Sequence, residues 1–186
     1  MNLERGVLLI SEPFLNDGHF DRSVILVCDH KESGSFGLVL NKPTEHVLED
    51  VLSELAVFPA TAGLPLYLGG PVEQNTLHYI HTLGPALEGS EYIGEGFYLG
   101  GSFEQLKELL RSEPIEPGQI RFFLGYSGWQ AGQLDKEYEE KTWITGKNIP
   151  EDLLEIEPAA LWRSLLLRLG GKYKELANYP IDPRLN

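Results

Sequence analysis

A chain of 186 residues with 28 acidic and 15 basic side chains carries a formal net charge of −13, which sets it against nucleic-acid phosphates and anionic membrane surfaces, where Lys and Arg must replace counterions. Its 42% apolar and 23% charged residues are close to globular averages and exclude a disordered, collagen-like or coiled-coil chain. The single cysteine, Cys28, excludes an internal disulfide, and Val7-Leu8-Leu9-Ile10 is too short for a secretory core, so the cytoplasm is the expected compartment.

The first forty residues alternate short apolar runs with turn residues. Gly6–Ser11 is a continuous apolar run and predicts a strand covered on both faces. Ser23–Cys28 and Phe36–Leu40 predict two more, with Asn16-Asp17-Gly18 as a turn and Lys31–Ser35 as a hairpin loop. Cys28, at a strand end and followed by Asp29, reads as a small core residue. From Thr44 onward Leu48, Val51, Leu52 and Leu55 recur at helical spacing, so a helix capped by Thr44 and stopped by Pro59 is expected. The uncharged stretch Ala56–Val72 contains Pro59, Pro65 and Pro71 and cannot be a spanning helix. Leu66–Leu68 and Thr76–Ile80 read as strands around Gly69-Gly70-Pro71, and Tyr92–Leu99 as a strand region broken by glycines.

Ser102-Phe103-Glu104-Gln105 fits a capping box before a helix with Phe103, Leu106, Leu109 and Leu110 on its apolar face; Pro114 and Pro117 punctuate it. Ile120–Leu124 predicts a strand leading into a tight turn at Gly125-Tyr126-Ser127-Gly128-Trp129. A polar segment, Gln133–Lys141, separates it from a late strand at Trp143–Thr145. Pro158 at a first helical position, the face Leu161, Trp162, Leu165, Leu166 and Leu169, and Gly170 as terminator define the last helix. Tyr179–Asn186 reads as extended. Strands and helices do not alternate regularly, so the expectation is one α+β domain over residues 1–186, with a mixed or antiparallel sheet and about three main helices.

Four segments, in order, resemble the YqgE/AlgH family of bacterial proteins: Gly6–Ser11 running on to Phe20–Val24; Gly37-Leu38-Val39-Leu40-Asn41-Lys42-Pro43; Leu68-Gly69-Gly70-Pro71-Val72; and Leu124–Trp129 followed by Gly132-Gln133-Leu134 and Trp143. Together they span nearly the whole chain. The resemblance implies an α+β fold whose sheet curls into a small barrel-like core, with helices around it. It implies little about activity: members are commonly described as transcriptional regulators, from a genetic link to alginate production, without an established mechanism. Ser127 stands where the family often has Ala, which counts against a catalytic serine, and Lys42 stands where Arg is frequent. The tail from Gly170 to Asn186 looks lineage-specific.

The residues that could carry chemistry are few. Gly125-Tyr126-Ser127-Gly128 invites comparison with a hydrolase elbow, but Trp129 fills the position of its second glycine, and His78 and His81 precede the serine instead of following it. On a strand His78 and His81 point to opposite faces, and Asp17, His19 and Asp21 surround a turn without a second ligand cluster, so no metal is expected. Gly69-Gly70-Pro71 lacks the Lys-Ser/Thr of a phosphate loop and the dinucleotide fingerprint is absent, so no cofactor is expected. What remains lies at turns and strand ends, where binding groups concentrate: Arg22, Asn41, Lys42, Gly69, Gly70, Tyr126, Trp129 and Gln133. Arg22 and Lys42 would meet an anionic group, and Tyr126 and Trp129 would form an aromatic wall. The bland reading is that the two cations pair with carboxylates and Trp129 packs on the core edge. The expectation is a non-enzymatic binding or regulatory protein, with no catalytic residue, that takes a small anionic ligand or a protein partner and affects transcription indirectly. A hydrolase using Ser127, His78 or Asp21, and a direct DNA-binding regulator, are the alternatives; charge disfavours the second most.

Overall fold

The computed structural model describes residues 3–15, 18–55, 63–112, 116, 118–146 and 148–180. Among them run ten strands: β1 (Leu8–Ser11), β2 (Val24–Lys31), β3 (Gly34–Val39), β4 (Pro43–Val47), β5 (Pro65–Leu68), β6 (Val72–His81), β7 (Glu91–Gly94), β8 (Phe97–Leu99), β9 (Ile120–Gln130) and β10 (Trp143–Gly146). The unbroken apolar runs of β1 and β2 are buried on both sides, as their lack of polar alternation requires. Leu8, Ile10, Val24 and Leu26 enter the largest core cluster; Leu9, Ile25 and Val27 enter a second, with Trp129 and Trp143. Cys28 is fully buried in the first cluster, where loss of solvent pushes its thiol pKa far up.

The longest strand, β9, organises the sheet. Its N-terminal half lies between β6, antiparallel with Ile80 opposite Arg121, and β5, parallel with Leu66 opposite Phe122. Its C-terminal half pairs with β3, Phe36 opposite Gly128. The path β10-β1-β2-β3-β9-β6-β8-β7 is antiparallel throughout, β4 pairs with β5, and β5 on β9 is the parallel pair. The end strands β10 and β7 each pair on one side, so the sheet is curled and open rather than a closed barrel.

Five helices accompany it among the described residues: α1 (Leu48–Val51), α2 (Phe103–Ser112), α3 (Gln133–Glu139), α4 (Pro158–Leu169) and α5 (Tyr173–Leu176). In α4, Pro158 sits in the first turn, Gly170 closes the end with φ of 72°, and Leu161, Trp162, Leu165 and Leu166 are buried. Trp162 Nε1 donates to the Ser11 carbonyl at 2.9 Å, fixing the helix on β1.

Several expectations are corrected. Thr44 does not cap a helix: Pro43–Val47 is β4, and the Thr44 hydroxyl donates to the Leu66 carbonyl of β5. The expected helix shrinks to α1, capped by the Asp50 carboxylate accepting from the Val47 N–H, and one 3-10 turn at Ser53–Leu55; Pro59 lies outside the described residues. The capping box at Ser102 is half made. The Gln105 N–H donates to Ser102 Oγ, but the Gln105 side chain accepts from the Glu88 N–H. The polar segment 133–141 holds α3. Pro114, Pro117, Asp17 and residues 181–186 lie outside the described residues.

Candidate functional site

The expected turn at Gly125–Trp129 is instead the middle of β9, kinked at Gly125, whose φ is +66° and where a Cβ would fall 2.6 Å from the Val72 carbonyl oxygen. Only glycine tolerates both the conformation and the approach. Gly69 and Gly70 press against the same stretch: a Cβ on either would meet backbone atoms of Gly125 or Tyr126 at 2.3 Å. Ser127 is 1% exposed and its hydroxyl donates to the Gly69 carbonyl at 3.2 Å. These contacts lock the 69–72 turn onto β9.

The eight candidate residues fall into three groups. Arg22, itself at φ of 46°, donates to the carbonyls of Tyr179 and Pro180 at 2.7 and 2.8 Å, and its guanidinium stacks on Trp162. Asn41 accepts from the Val24 N–H and donates to the Arg22 carbonyl, both at 2.9 Å, so its amide holds the start of β2. Lys42 donates to the Asp21 carbonyl. Both cations therefore bind backbone carbonyls, and among the described residues neither makes an ion pair with a carboxylate. They do not converge on a common point: Arg22 ties down the C-terminal segment and Lys42 the loop before β2.

Tyr126 and Trp129 do not form one wall. An odd spacing on a strand sends them to opposite faces. Tyr126 packs against Phe36 and His78, at centroid distances of 5.0 and 5.7 Å, whereas Trp129 is 93% buried in the second cluster, with a relative exposure of 7%. His78, half-buried and held below its ordinary pKa by loss of solvent, shares a hydrogen bond with the Thr76 hydroxyl.

The third group closes around a residue the sequence reading passed over. Glu137 of α3 accepts from both indoles on one oxygen, Trp129 Nε1 at 2.9 Å and Trp143 Nε1 at 2.8 Å, and from Gln133 Nε2 at 2.9 Å on the other. Gln133 Oε1 in turn accepts from the Gln130 N–H. Beside this network Leu15, Phe20, Pro71, Trp129, Glu137 and Trp143 line a cleft of about 180 Å³. Phe20 and Pro71 also border a dimple of about 10 Å³ that reaches Lys42 and Gly70. The cleft thus links the 69–72 turn to the Trp129 end of β9, while Arg22 and Tyr126 lie outside it. The sequence clue to Glu137 was Leu134 and Tyr138, four apart with Gln133 and Glu137 beside them, which is helical spacing inside a polar stretch.

The sequence profile of the family described as AlgH-like matches residues 8–174. The chain belongs to the AlgH-like family. It is 45% identical over 185 residues to a UPF0301 protein of Cytophaga hutchinsonii, covering 99% of this chain and 100% of that one. A UPF0301 protein of Bacteroides fragilis is 44% identical over 183 residues, covering 98% and 91%. Among solved structures, that of the AlgH protein from Pseudomonas aeruginosa has a TM-score of 0.74 at 26% identity, covering 97% of this chain and 98% of that one. A Corynebacterium diphtheriae protein shares the fold, with a TM-score of 0.76 at 21% identity over 96% and 94% of the two chains. The likeness to these structures extends over nearly the whole fold.

Proposed function

We propose that this AlgH-like chain is a non-enzymatic binding protein of the cytoplasm, regulating transcription indirectly by engaging a protein partner at the cleft between Phe20, Pro71, Trp129 and Trp143. The observation that carries this reading is the state of the polar groups there. The Ser127 hydroxyl is buried on a carbonyl, and Glu137 already accepts three hydrogen bonds, so the cleft offers an aromatic and apolar surface without an activated nucleophile and base. The hydrolase alternative needs Ser127 within reach of a histidine, and a hydroxyl at 1% exposure facing Gly69 does not supply that geometry. A small anion is less suited to this cleft than a protein segment, because Lys42 and Arg22 donate elsewhere and Glu137 adds negative charge. Direct contact with DNA is opposed by the net charge of −13. No helix among the described residues is long and apolar enough to cross a membrane.

Because Cys28 is sealed in the core, a new surface cysteine is a selective attachment point. A photo-crosslinker on Pro71→Cys, at the cleft rim, is expected to give one discrete adduct in cells. The same reagent on Glu32→Cys, on the exposed β2–β3 turn, is expected to give none. Equal labelling from both positions contradicts the reading.

A further inference from the structure

Arg121 is the one charge inside the run Ile120–Leu124 of β9. The period of two sends it to the side of Phe123, into the largest cluster, while Phe122 faces another. It is 6% exposed, and its guanidinium stacks on the Tyr67 ring at 4.4 Å from the centroid. One terminal nitrogen donates to the Leu40 carbonyl at 2.7 Å and the other to the Leu154 carbonyl at 2.8 Å. Both partners are neutral. Arg121 makes no ion pair with a carboxylate among the described residues.

A buried cation is strongly disfavoured unless its charge and its donors are met. Of the five N–H donors of a guanidinium, two are used by Leu40 and Leu154. Among the described residues Nε has no partner, yet it is not sealed: only Glu49 Oε2 is a buried side-chain polar atom without one there. Arg121 also lines a cleft of about 280 Å³, with Pro65, Tyr67, Glu116, Ile120, Phe122 and Leu154. The cation therefore borders a mostly apolar hollow and has donors to spare. Burial also lowers its pKa, against the opposing pull of Tyr67 and Glu157.

We propose that Arg121 is the recognition residue of a small-ligand site that takes a monocarboxylate with a short apolar body. The carboxylate accepts from the unused guanidinium N–H groups, and the body lies against Pro65, Phe122 and Leu154. A planar fork of donors suits a carboxylate. The volume falls just under the ordinary small-molecule range of roughly 300–1,000 Å³, which keeps the body short. Glu116 also lines the cleft and is exposed. With the net charge of −13, it selects against a doubly charged head such as phosphate. This site is separate from the Trp129 cleft and does not depend on its reading.

The test is an amide NMR titration of the full chain with sodium butanoate, with inorganic phosphate as a second arm, both at ionic strength fixed by sodium chloride. Butanoate is expected to give saturable shifts centred on Gly118, Ile120, Arg121 and Leu154, with phosphate at least tenfold weaker. Arg121→Met is expected to weaken butanoate binding at least tenfold. Pro65→Trp, which narrows the mouth from an exposed position while leaving Arg121 on its carbonyls, is expected to do the same and decides the matter if Arg121→Met does not fold. Absence of saturable shifts, unchanged binding in a folded Arg121→Met or Pro65→Trp chain, or phosphate binding as tightly as butanoate overturns the proposal.

Discussion

Glu137 and Arg121 are opposite charges held by neutral groups, but to different degrees. The Glu137 carboxylate receives two indole N–H groups and one amide, so both oxygens are engaged. The Arg121 guanidinium gives two of its donors to carbonyls, and the residue borders a mostly apolar hollow. The carboxylate is complete as it stands and works as a clasp, joining α3 to the two tryptophans. The guanidinium clasps Leu40, just after β3, and the segment before α4 as well, yet remains short of acceptors. A polar group that the fold fully satisfies is explained by the fold; one that it satisfies in part asks for a partner from outside.

The largest effect that would sharpen this contrast comes from Arg121→Met. It strands the Leu40 and Leu154 carbonyls and should cost about 3 kcal/mol of unfolding free energy in urea, since each unmet buried acceptor is worth roughly 1–3 kcal/mol. A loss below ~1 kcal/mol would show that the guanidinium is not a structural clasp. Next, Glu137→Ala removes the common acceptor of two indoles and should cost about 2 kcal/mol. Glu137→Gln keeps a carbonyl oxygen for them and should cost about half as much. Equal losses would mean that the negative charge, and not the acceptor, holds the cluster.

A smaller effect tests the edge of the sheet. His81 is fully buried on β6, accepts from the Leu83 N–H on Nδ1, and places Nε2 against the Gly100 carbonyl at 2.8 Å. That arrangement is the neutral ring with its proton on Nε2. Burial lowers its pKa below the ordinary histidine value, only partly offset by Gly100. The unfolded chain then binds the proton first as pH falls, so stability is lost below about pH 6.5, at up to about 1.4 kcal/mol per pH unit. His78 is shifted the same way, also by burial. His81→Asn should remove part of that slope in urea melts at pH 7.5, 6.5 and 5.5, and an unchanged slope would assign it to other groups. The smallest effect is a control: Arg168 pairs with Asp152 at 2.6 Å, both side chains more than 40% exposed. After solvent screening, Asp152→Asn should cost only about 0.5 kcal/mol, and less in high salt.

Much of the architecture was readable. The apolar runs of β1 and β2 and the face of α4, bounded by Pro158 and Gly170, are local signals that tertiary packing did not overrule. The helix start at Thr44 was overruled: the helical spacing runs from Leu48 to Leu55, but pairing with β5, Pro43 opposite Tyr67 and Val47 opposite Pro65, took the residues before Leu48 as a strand. In α3 the buried stripe is narrow and polar residues dominate, so the sequence shows only a polar segment there. Gly125 reads as a turn in the sequence because a kinked strand and a turn need the same glycine. The candidate site was only partly legible. Arg22 and Lys42 stood out as cations beside turns, but the carbonyl that holds each comes from a segment remote in sequence, Tyr179 for one and Asp21 for the other. Arg121 carried a plain signal, a lone charge in an apolar strand of an acidic chain, and its meaning depends on neighbours that only the fold brings together.

The contrast between the two charges is tested most directly by the dependence of unfolding temperature on butanoate at fixed ionic strength, followed in the unaltered chain, Glu137→Gln and Arg121→Met. The unfolding temperatures of the unaltered chain and Glu137→Gln should rise in parallel with ligand concentration, corresponding to ~2.7 kcal/mol of added stability at 100 times the dissociation constant, while Arg121→Met stays flat. Three flat curves, or three that rise together, would contradict the account.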